Sequence, residues 1–171
     1  MKDILLKVLF VAVFFFVIGL IIVISHGNEK TVVVVEGNLS KTPIEMVGAI
    51  YQDSDCGMDI EDTTYASQVI SPEGKTWFFH DHGSMINWLC EKPFCKEAVI
   101  WVWAIDKKDW VKAQNAFSSV DEITPMNYGF GAYYEKQKGF IDFDTMTERT
   151  LRGENMANPA YVKFLKESSK Y

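Results

Sequence analysis

The strongest constraint on this chain is an unbroken apolar run over 8–24, VLFVAVFFFVIGLIIVI, which Ile4, Leu5 and Leu6 extend toward the N-terminus. Roughly 20 apolar residues in a helix cross the hydrocarbon core of a membrane, because a helix rises about 1.5 Å per residue. The run is longer than the apolar region of a usual signal peptide, and no small-residue cleavage motif follows it. It therefore predicts an uncleaved transmembrane signal anchor over residues 1–25, with a cleaved signal peptide as the alternative.

Two lysines set the expected orientation of this anchor. Lys2 and Lys7 precede the run, and positive charge favours the cytoplasmic side of a membrane. No second apolar run follows, so we expect a single-pass inner-membrane protein whose C-terminal domain lies in the periplasm. A linker and a first strand are expected over 26–43, and one periplasmic domain over 44–171.

The overall charge excludes one class of partner. The 171 residues include 17 Lys and Arg against 23 Asp and Glu, a net charge of −6. Proteins that bind nucleic acid present a basic surface to the phosphates. No nucleic-acid partner is therefore expected.

The pattern of apolar residues predicts an α+β domain after the anchor. A hairpin is expected through the turn Ser71-Pro72-Glu73-Gly74, a second hairpin around Gly139, and a helix over 106–117, whose Trp110, Ala113 and Phe117 share one face. The two hairpins with their helices indicate a faint duplication. The remaining predicted elements are strands over 65–70, 75–80 and 98–105 and helices over 83–90 and 158–166.

The segment Cys56-Gly57-Met58 has the chemistry of a soft-metal site. A thiolate and a thioether two residues apart can meet one ion where the residue between them allows a tight turn, as glycine does. Soft sulfur ligands favour Cu(I) over hard cations. The alternative is an exposed loop cysteine beside a methionine that packs in the core.

Further candidate ligands follow in His80-Asp81-His82 and at Met126. Residues i and i+2 of an extended chain share a face, so His80 and His82 could serve one metal ion. The alternative is a polar loop that caps the next helix. Met126 lies in the turn Thr124-Pro125-Met126, an unusual place for a methionine that only packs.

The other cysteines offer a different reading. Cys90 and Cys95 flank a proline and could form a local disulfide, which would leave Cys56 unpaired. Their spacing differs from the C-x-x-C of thiol oxidoreductases.

No motif of hydrolases or nucleotide-binding enzymes is present, so we expect no enzymatic activity. The alternatives to a metal carrier are a thiol-disulfide redox protein that uses Cys90 and Cys95, and a structural subunit.

Four segments in the right order resemble the NosL family of accessory copper chaperones. They cover about half of the chain, from Met46 to Tyr134. The segments are Asp55-Cys56-Gly57-Met58-Asp59-Ile60, Tyr65-Ala66-Ser67-Gln68-Val69-Ile70, Gly74-Lys75-Thr76-Trp77-Phe78-Phe79 and Thr124-Pro125-Met126 with the following Tyr128-Gly129.

The resemblance implies a periplasmic, membrane-tethered protein that binds one Cu(I) and delivers it for the maturation of nitrous oxide reductase. Its implied partners are the assembly machinery of that enzyme, an ABC-type transporter and its periplasmic partner. The implied fold is two small β-β-α-β units. Cys56 and Met58 fall on the family's copper-binding pair, and Met126 on its T-P-M turn. Typical members are lipoproteins, and here the N-terminal helix would replace the lipid.

Overall fold

The computed structural model describes residues 2–25 and 31–168, and within the first helix the side chains of Ile4 and of residues 6–20. The chain divides into two compact units, Met1–Lys30 and Thr31–Tyr171. The predicted linker over 26–30 lies outside the described residues.

The first unit is one helix, α1 (Lys2–Ser25). Among the residues that the structure describes, no helix is long and apolar enough to cross a membrane. For this part of the chain the predicted transmembrane anchor is wrong. The predictions of a membrane partner through this helix and of a single-pass inner-membrane protein are wrong with it.

The second unit is built on a five-stranded antiparallel sheet. Its strands are β2 (Val34–Val35), β4 (Ser67–Ile70), β5 (Thr76–Phe79), β6 (Val99–Ala104) and β7 (Asp109–Lys112), in the order β2-β5-β4-β6-β7. The predicted turn joins β4 to β5. Gly74 has a φ of +81°, and its N–H donates to the Ser71 carbonyl at 3.0 Å. Glycine reaches such a φ without steric cost, so this turn fixes the hairpin register.

Smaller elements complete the second unit. β1 (Thr31–Val32) pairs in parallel with β3 (Ile50–Tyr51). A three-stranded sheet has β8 (Phe117–Ser118) in the centre, between β10 (Ile141–Asp142) and β9 (Ala132–Tyr133). The other elements are a short 3-10 helix (Ala113–Asn115), α2 (His82–Cys90), α3 (Phe143–Leu151) and α4 (Pro159–Ser168).

The core lies between the five-stranded sheet and helices α2 and α3. Strand β6 alternates, so that Ile100, Val102 and Ala104 point inward. Met85 from α2 and Met146 from α3 are fully buried in this core, so both methionines are packing residues. Burial of one large apolar side chain contributes roughly 1.5–3 kcal/mol, so this face holds α2 in place on the sheet.

The prediction of two β-β-α-β units is wrong. The first of the two expected β-β-α-β motifs is present as β4-β5-α2-β6. In the second half three short strands precede α3, and no strand follows it within residues 152–168. The reason is pairing: β9 and β10 do not form the expected hairpin, because both pair with β8 on its opposite edges. The fold is mixed α and β without the expected repeat.

Candidate metal site

The loop after β3 holds Cys56 in a closed turn. The Asp53 N–H donates to the Met58 carbonyl at 2.8 Å, and the Gly57 N–H donates to the Asp53 carbonyl at 2.8 Å. Gly57 has a φ of +75°, which a residue with a side chain adopts only with strain. The two backbone hydrogen bonds and the glycine together hold Cys56 and Met58 on one tight turn.

Asp53 is the buried centre of this loop. One oxygen, Oδ1, accepts from the N–H groups of Asp55 at 2.8 Å and Cys56 at 3.1 Å. The other, Oδ2, accepts from the His80 N–H at 2.8 Å and lies 2.5 Å from His80 Nδ1. Burial alone would raise the pKa of Asp53, but the hydrogen bonds from His80, Cys56 and Asp55 hold it below its ordinary value. Asp53 is therefore an ionised carboxylate at neutral pH.

The loop and the end of β5 bring three potential ligands together. A ring nitrogen of His80, the sulfur of Cys56 and a carboxylate oxygen of Asp53 lie within 4.8 Å of one another. Cys56 is exposed and His80 is only 7% exposed. His80 Nε2 is buried and has no hydrogen-bond partner in the described part of the chain. A histidine held through one nitrogen by a carboxylate, with the other nitrogen free, is the usual arrangement of a metal-binding imidazole.

The state of the Cys56 thiol separates metal binding from nucleophilic catalysis. Burial and the neighbouring Asp53 carboxylate raise the pKa of Cys56, although the Met58 backbone N–H bonded to the sulfur acts in the opposite direction. Catalytic cysteines instead have lowered pKa values next to a cation. Here the carboxylate bonds to both the thiol and the imidazole, whereas in a nucleophilic triad the imidazole stands between them. This arrangement does not match an activated thiolate.

Met58 lies on the same turn, two residues after Cys56. Its backbone closes the turn at both its N–H and its carbonyl, while its side chain is 49% exposed. An apolar side chain left half exposed gains little from packing. The thioether is thus available to an ion held by Cys56.

Met126 belongs to a neighbouring network centred on Asp81. The buried Asp81 carboxylate caps α2 by accepting from the Gly83 N–H at 3.0 Å. Its other oxygen accepts from Thr124 Oγ1 at 2.5 Å and from the Met126 N–H at 3.0 Å. The T-P-M turn is therefore bound to the residue that follows His80. The Met126 side chain is half-buried, and its role as a ligand stays a prediction.

The structure separates His82 from His80. His82 is the first residue of α2 and is fully buried, and neither of its ring nitrogens has a hydrogen-bond partner among the described residues. Burial lowers the pKa of His82 to about 4, so its ring is neutral at pH 7. His82 is not part of the cluster around Cys56, because the chain turns into a helix here instead of continuing as a strand.

The sequence interpretation missed Asp53. The local signal was present, since an aspartate commonly accepts from N–H groups two and three residues further along the chain. The contact with His80 spans 27 residues. That contact depends on β5 lying beside the loop, which no local pattern indicates.

The remaining cysteines are free thiols. Cys90 is exposed and Cys95 is half-buried, and neither is in a disulfide. The expected local disulfide is thus not formed in this structure.

Comparisons with protein-family models, with curated protein sequences and with solved structures found no significant match to this chain.

Proposed function

We propose that this protein is a carrier of Cu(I), with Cys56, Met58 and His80 as the ligands. The observation that carries the proposal is the cluster of the Cys56 sulfur and a His80 nitrogen at an exposed, hydrogen-bonded turn. Thiolate, thioether and imidazole are soft or borderline ligands that suit Cu(I). The Asp53 carboxylate is a harder ligand than these. We therefore propose that Asp53 orients His80 and does not bind the ion directly.

The exposure of the two sulfur ligands suits delivery of the ion. Cys56 is exposed and Met58 is half exposed, so a partner protein can approach the ion from the solvent side. A site with two or three protein ligands leaves a position for a ligand of the recipient. Transfer then proceeds by ligand exchange without release of free ion. The recipient that we propose is a copper enzyme under assembly, and the NosL-like motifs suggest nitrous oxide reductase.

A titration of the reduced full-length chain tests the carrier site. Cu(I) is added without oxygen in competition with a chromophoric Cu(I) chelator. We expect Cys56→Ser to abolish one tightly bound equivalent, and Met58→Ala to weaken that equivalent at least tenfold. Met46→Ala is the matched control, because Met46 lies before β3 and is expected only to pack. Retention of all tightly bound Cu(I) in Cys56→Ser would contradict the proposal.

The same protein should discriminate against zinc. Cysteine, histidine and aspartate together are also a ligand set for Zn²⁺, whereas a thioether favours Cu(I). If the carrier proposal is right, a hundredfold excess of Zn²⁺ leaves the Cu(I) bound. Displacement of Cu(I) by Zn²⁺ would instead assign the cluster to zinc.

A further inference from the structure

The negative charge of this protein is concentrated in one stretch of the chain. Of the 23 Asp and Glu, seven lie in residues 42–74, which contain none of the 17 Lys and Arg. The other 16 acidic residues nearly balance the basic ones. The net charge of −6 therefore arises in the stretch that carries Cys56 and Met58. An uneven distribution of this kind bears on association with other molecules and not on the fold.

Exposed aspartates stand on either side of the two sulfur residues. Asp55 directly precedes Cys56 and Asp59 directly follows Met58, and all four residues are exposed. An antiparallel bridge between Gln52 and Asp59 closes the base of the turn. Consecutive Cα atoms are about 3.8 Å apart, so each aspartate lies within a Debye length, about 8 Å at physiological salt, of a sulfur residue. An uncharged centre inside a polar rim is typical of a protein–protein interface.

The charges of these aspartates are available to a molecule that approaches from solvent. No salt bridge of the described chain involves Asp55 or Asp59. Asp59 accepts a hydrogen bond at 3.1 Å from the side chain of Gln52, which carries no charge. Glu61 is also exposed and extends the negative surface.

A buried histidine distinguishes this surface from an ordinary solvated loop. His80 is 7% exposed, its Nε2 has no hydrogen-bond partner in the described chain, and a nitrogen of its ring lies in one cluster with the Cys56 sulfur. A buried polar atom without a partner costs free energy, which a bound ligand recovers. The exposed member of the cluster, Cys56, is the residue beside Asp55.

We propose that the turn over residues 55–59 is a docking surface for a protein that carries Lys and Arg around its own Cu(I) ligands. The inference rests on the proposed carrier function and specifies the recipient. Complementary charge orients two proteins and speeds their encounter. The basic rim of the recipient would meet Asp55 and Asp59, while its Cu(I) ligands approach Cys56 and Met58.

Transfer across this surface is a ligand exchange. Each bond that a recipient ligand forms to Cu(I) replaces one bond to Cys56, Met58 or His80. The released Cys56 thiolate takes up a proton from solvent. No electron is transferred, and copper remains Cu(I) throughout.

The sign of the charge selects against two other classes of partner. Nucleic acids and anionic lipid surfaces are themselves negative and attract basic segments. The acidic turn would repel both. A basic protein surface is its electrostatic complement.

Two synthetic acceptor peptides of equal length test this selection. Each carries the same methionines and histidine as a Cu(I) site, flanked by four lysines in one peptide and by four glutamates in the other. The reduced full-length chain is loaded with Cu(I) without oxygen, and quenching of a dye on the peptide reports transfer. We expect transfer to the lysine peptide to be faster by about tenfold or more at low ionic strength. The difference should shrink in 1 M salt, where the Debye length is about 3 Å.

A matched pair of double variants locates the effect. Asp55→Asn/Asp59→Asn should still bind one equivalent of Cu(I) against the chelator but transfer it to the lysine peptide about tenfold more slowly. Asp109→Asn/Glu135→Gln makes the same change in net charge at exposed positions and should transfer at the wild-type rate. Asp109 begins β7, three strands from β5 in the sheet, which is about 14 Å at about 4.8 Å per strand. Glu135 is hydrogen-bonded to Asp106 in the turn before β7.

Failure of this inference and failure of the carrier proposal give different results. If the wild type holds no Cu(I) against the chelator, the carrier proposal fails and this inference fails with it. If the wild type holds one equivalent but delivers it to both peptides at the same rate, only this inference is overturned. Equal rates in the two double variants would overturn it as well, because net charge and not the position of the charge would then determine transfer.

Discussion

Asp53 joins the two parts of the candidate site through a single carboxylate. It fixes the N–H of Cys56 with one oxygen and the ring of His80 with the other. Partners of this kind orient metal ligands, and their loss costs roughly 10–100-fold in affinity. We therefore expect Asp53→Asn to weaken Cu(I) binding by that factor without abolishing it, measured by chelator competition.

Asp59→Asn is the matched control for this variant. Asp59 is an exposed aspartate of the same loop, and its carboxylate accepts only from the Gln52 side chain at 3.1 Å among the described side-chain hydrogen bonds. Its replacement should leave the Cu(I) affinity unchanged. Equal effects of the two substitutions would show that loop charge, and not the orientation of His80, determines affinity.

His82 makes stability depend on pH. Its pKa is about 4 in the folded chain against an ordinary value of 6.5. The unfolded chain therefore takes up a proton first as the pH falls, and stability is lost between pH 6.5 and pH 4. The shift corresponds to about 3 kcal/mol of unfolding free energy.

Urea unfolding at pH 7 and at pH 4 measures this contribution. Between pH 7 and pH 4, the free energy of unfolding of the wild type should fall by about 3 kcal/mol more than that of His82→Leu. The variant should be at least as stable as wild type at pH 7, because it removes two buried nitrogens that have no hydrogen-bond partner in the described chain. The same loss in both proteins would contradict a buried neutral His82.

At the level of single residues the sequence singled out two side chains that lie close together but missed the contact that joins them. Cys56 and His80, named from their ligand chemistry, do lie close together. The spacing of His80 and His82 does not bring them to one face, because residues i and i+2 share a face only on an extended chain and His82 begins a helix. The role of Asp53 depends on a tertiary contact and could not be predicted.

Among the elements, helix α2 carries the residues that link the two halves of the second unit. Its N-cap, Asp81, also accepts from Thr124 and Met126. Loss of an N-cap costs about 1 kcal/mol, and each buried donor left without a partner costs about 1–3 kcal/mol. Asp81→Ala should therefore destabilise the protein by about 3 kcal/mol or more, measured by urea unfolding.

The N-cap of α3 provides the control for Asp81. Asp142 accepts from the Thr145 N–H at 2.8 Å in an exposed position, and has no second role among the described hydrogen bonds. Asp142→Ala should cost only about 1 kcal/mol. If the two substitutions cost the same, the Asp81 network adds nothing beyond the cap.

Local signals predicted the first hairpin, α2, β6 and α4, whereas strand pairing overrode two other predictions. The expected helix over 106–117 is instead β7, a 3-10 turn and β8. Its apolar spacing fits a helix, but Trp110 lies opposite Trp103 on β6, with ring centroids 5.5 Å apart at 80°. Cross-strand packing of this kind overrides local propensity. The expected second hairpin failed for the same reason, since β8 pairs with both of its strands.

At the scale of the whole molecule, composition predicted an acidic protein and the apolar pattern predicted a mixture of helices and strands, but neither predicted the topology. The expected repeat is absent because α3 is followed by no strand within the described residues. Strand β5 and helix α2 are packed on the core, and His80 and Asp81 lie between them in the chain. These two elements therefore form a rigid support for the candidate site. The turn that carries Cys56 is bound to this support through Asp53 and His80, and Cys56 is exposed to solvent.

X-ray absorption at the copper edge tests whether Cu(I) binds through Cys56 and His80. The sample is the Cu(I)-loaded full-length Cys90→Ser/Cys95→Ser variant, in which Cys56 is the only cysteine. We expect sulfur ligands together with the scattering pattern of one imidazole, and we expect an added His80→Gln substitution to remove the imidazole pattern. A copper environment without sulfur, or one unchanged by His80→Gln, would contradict binding through Cys56 and His80.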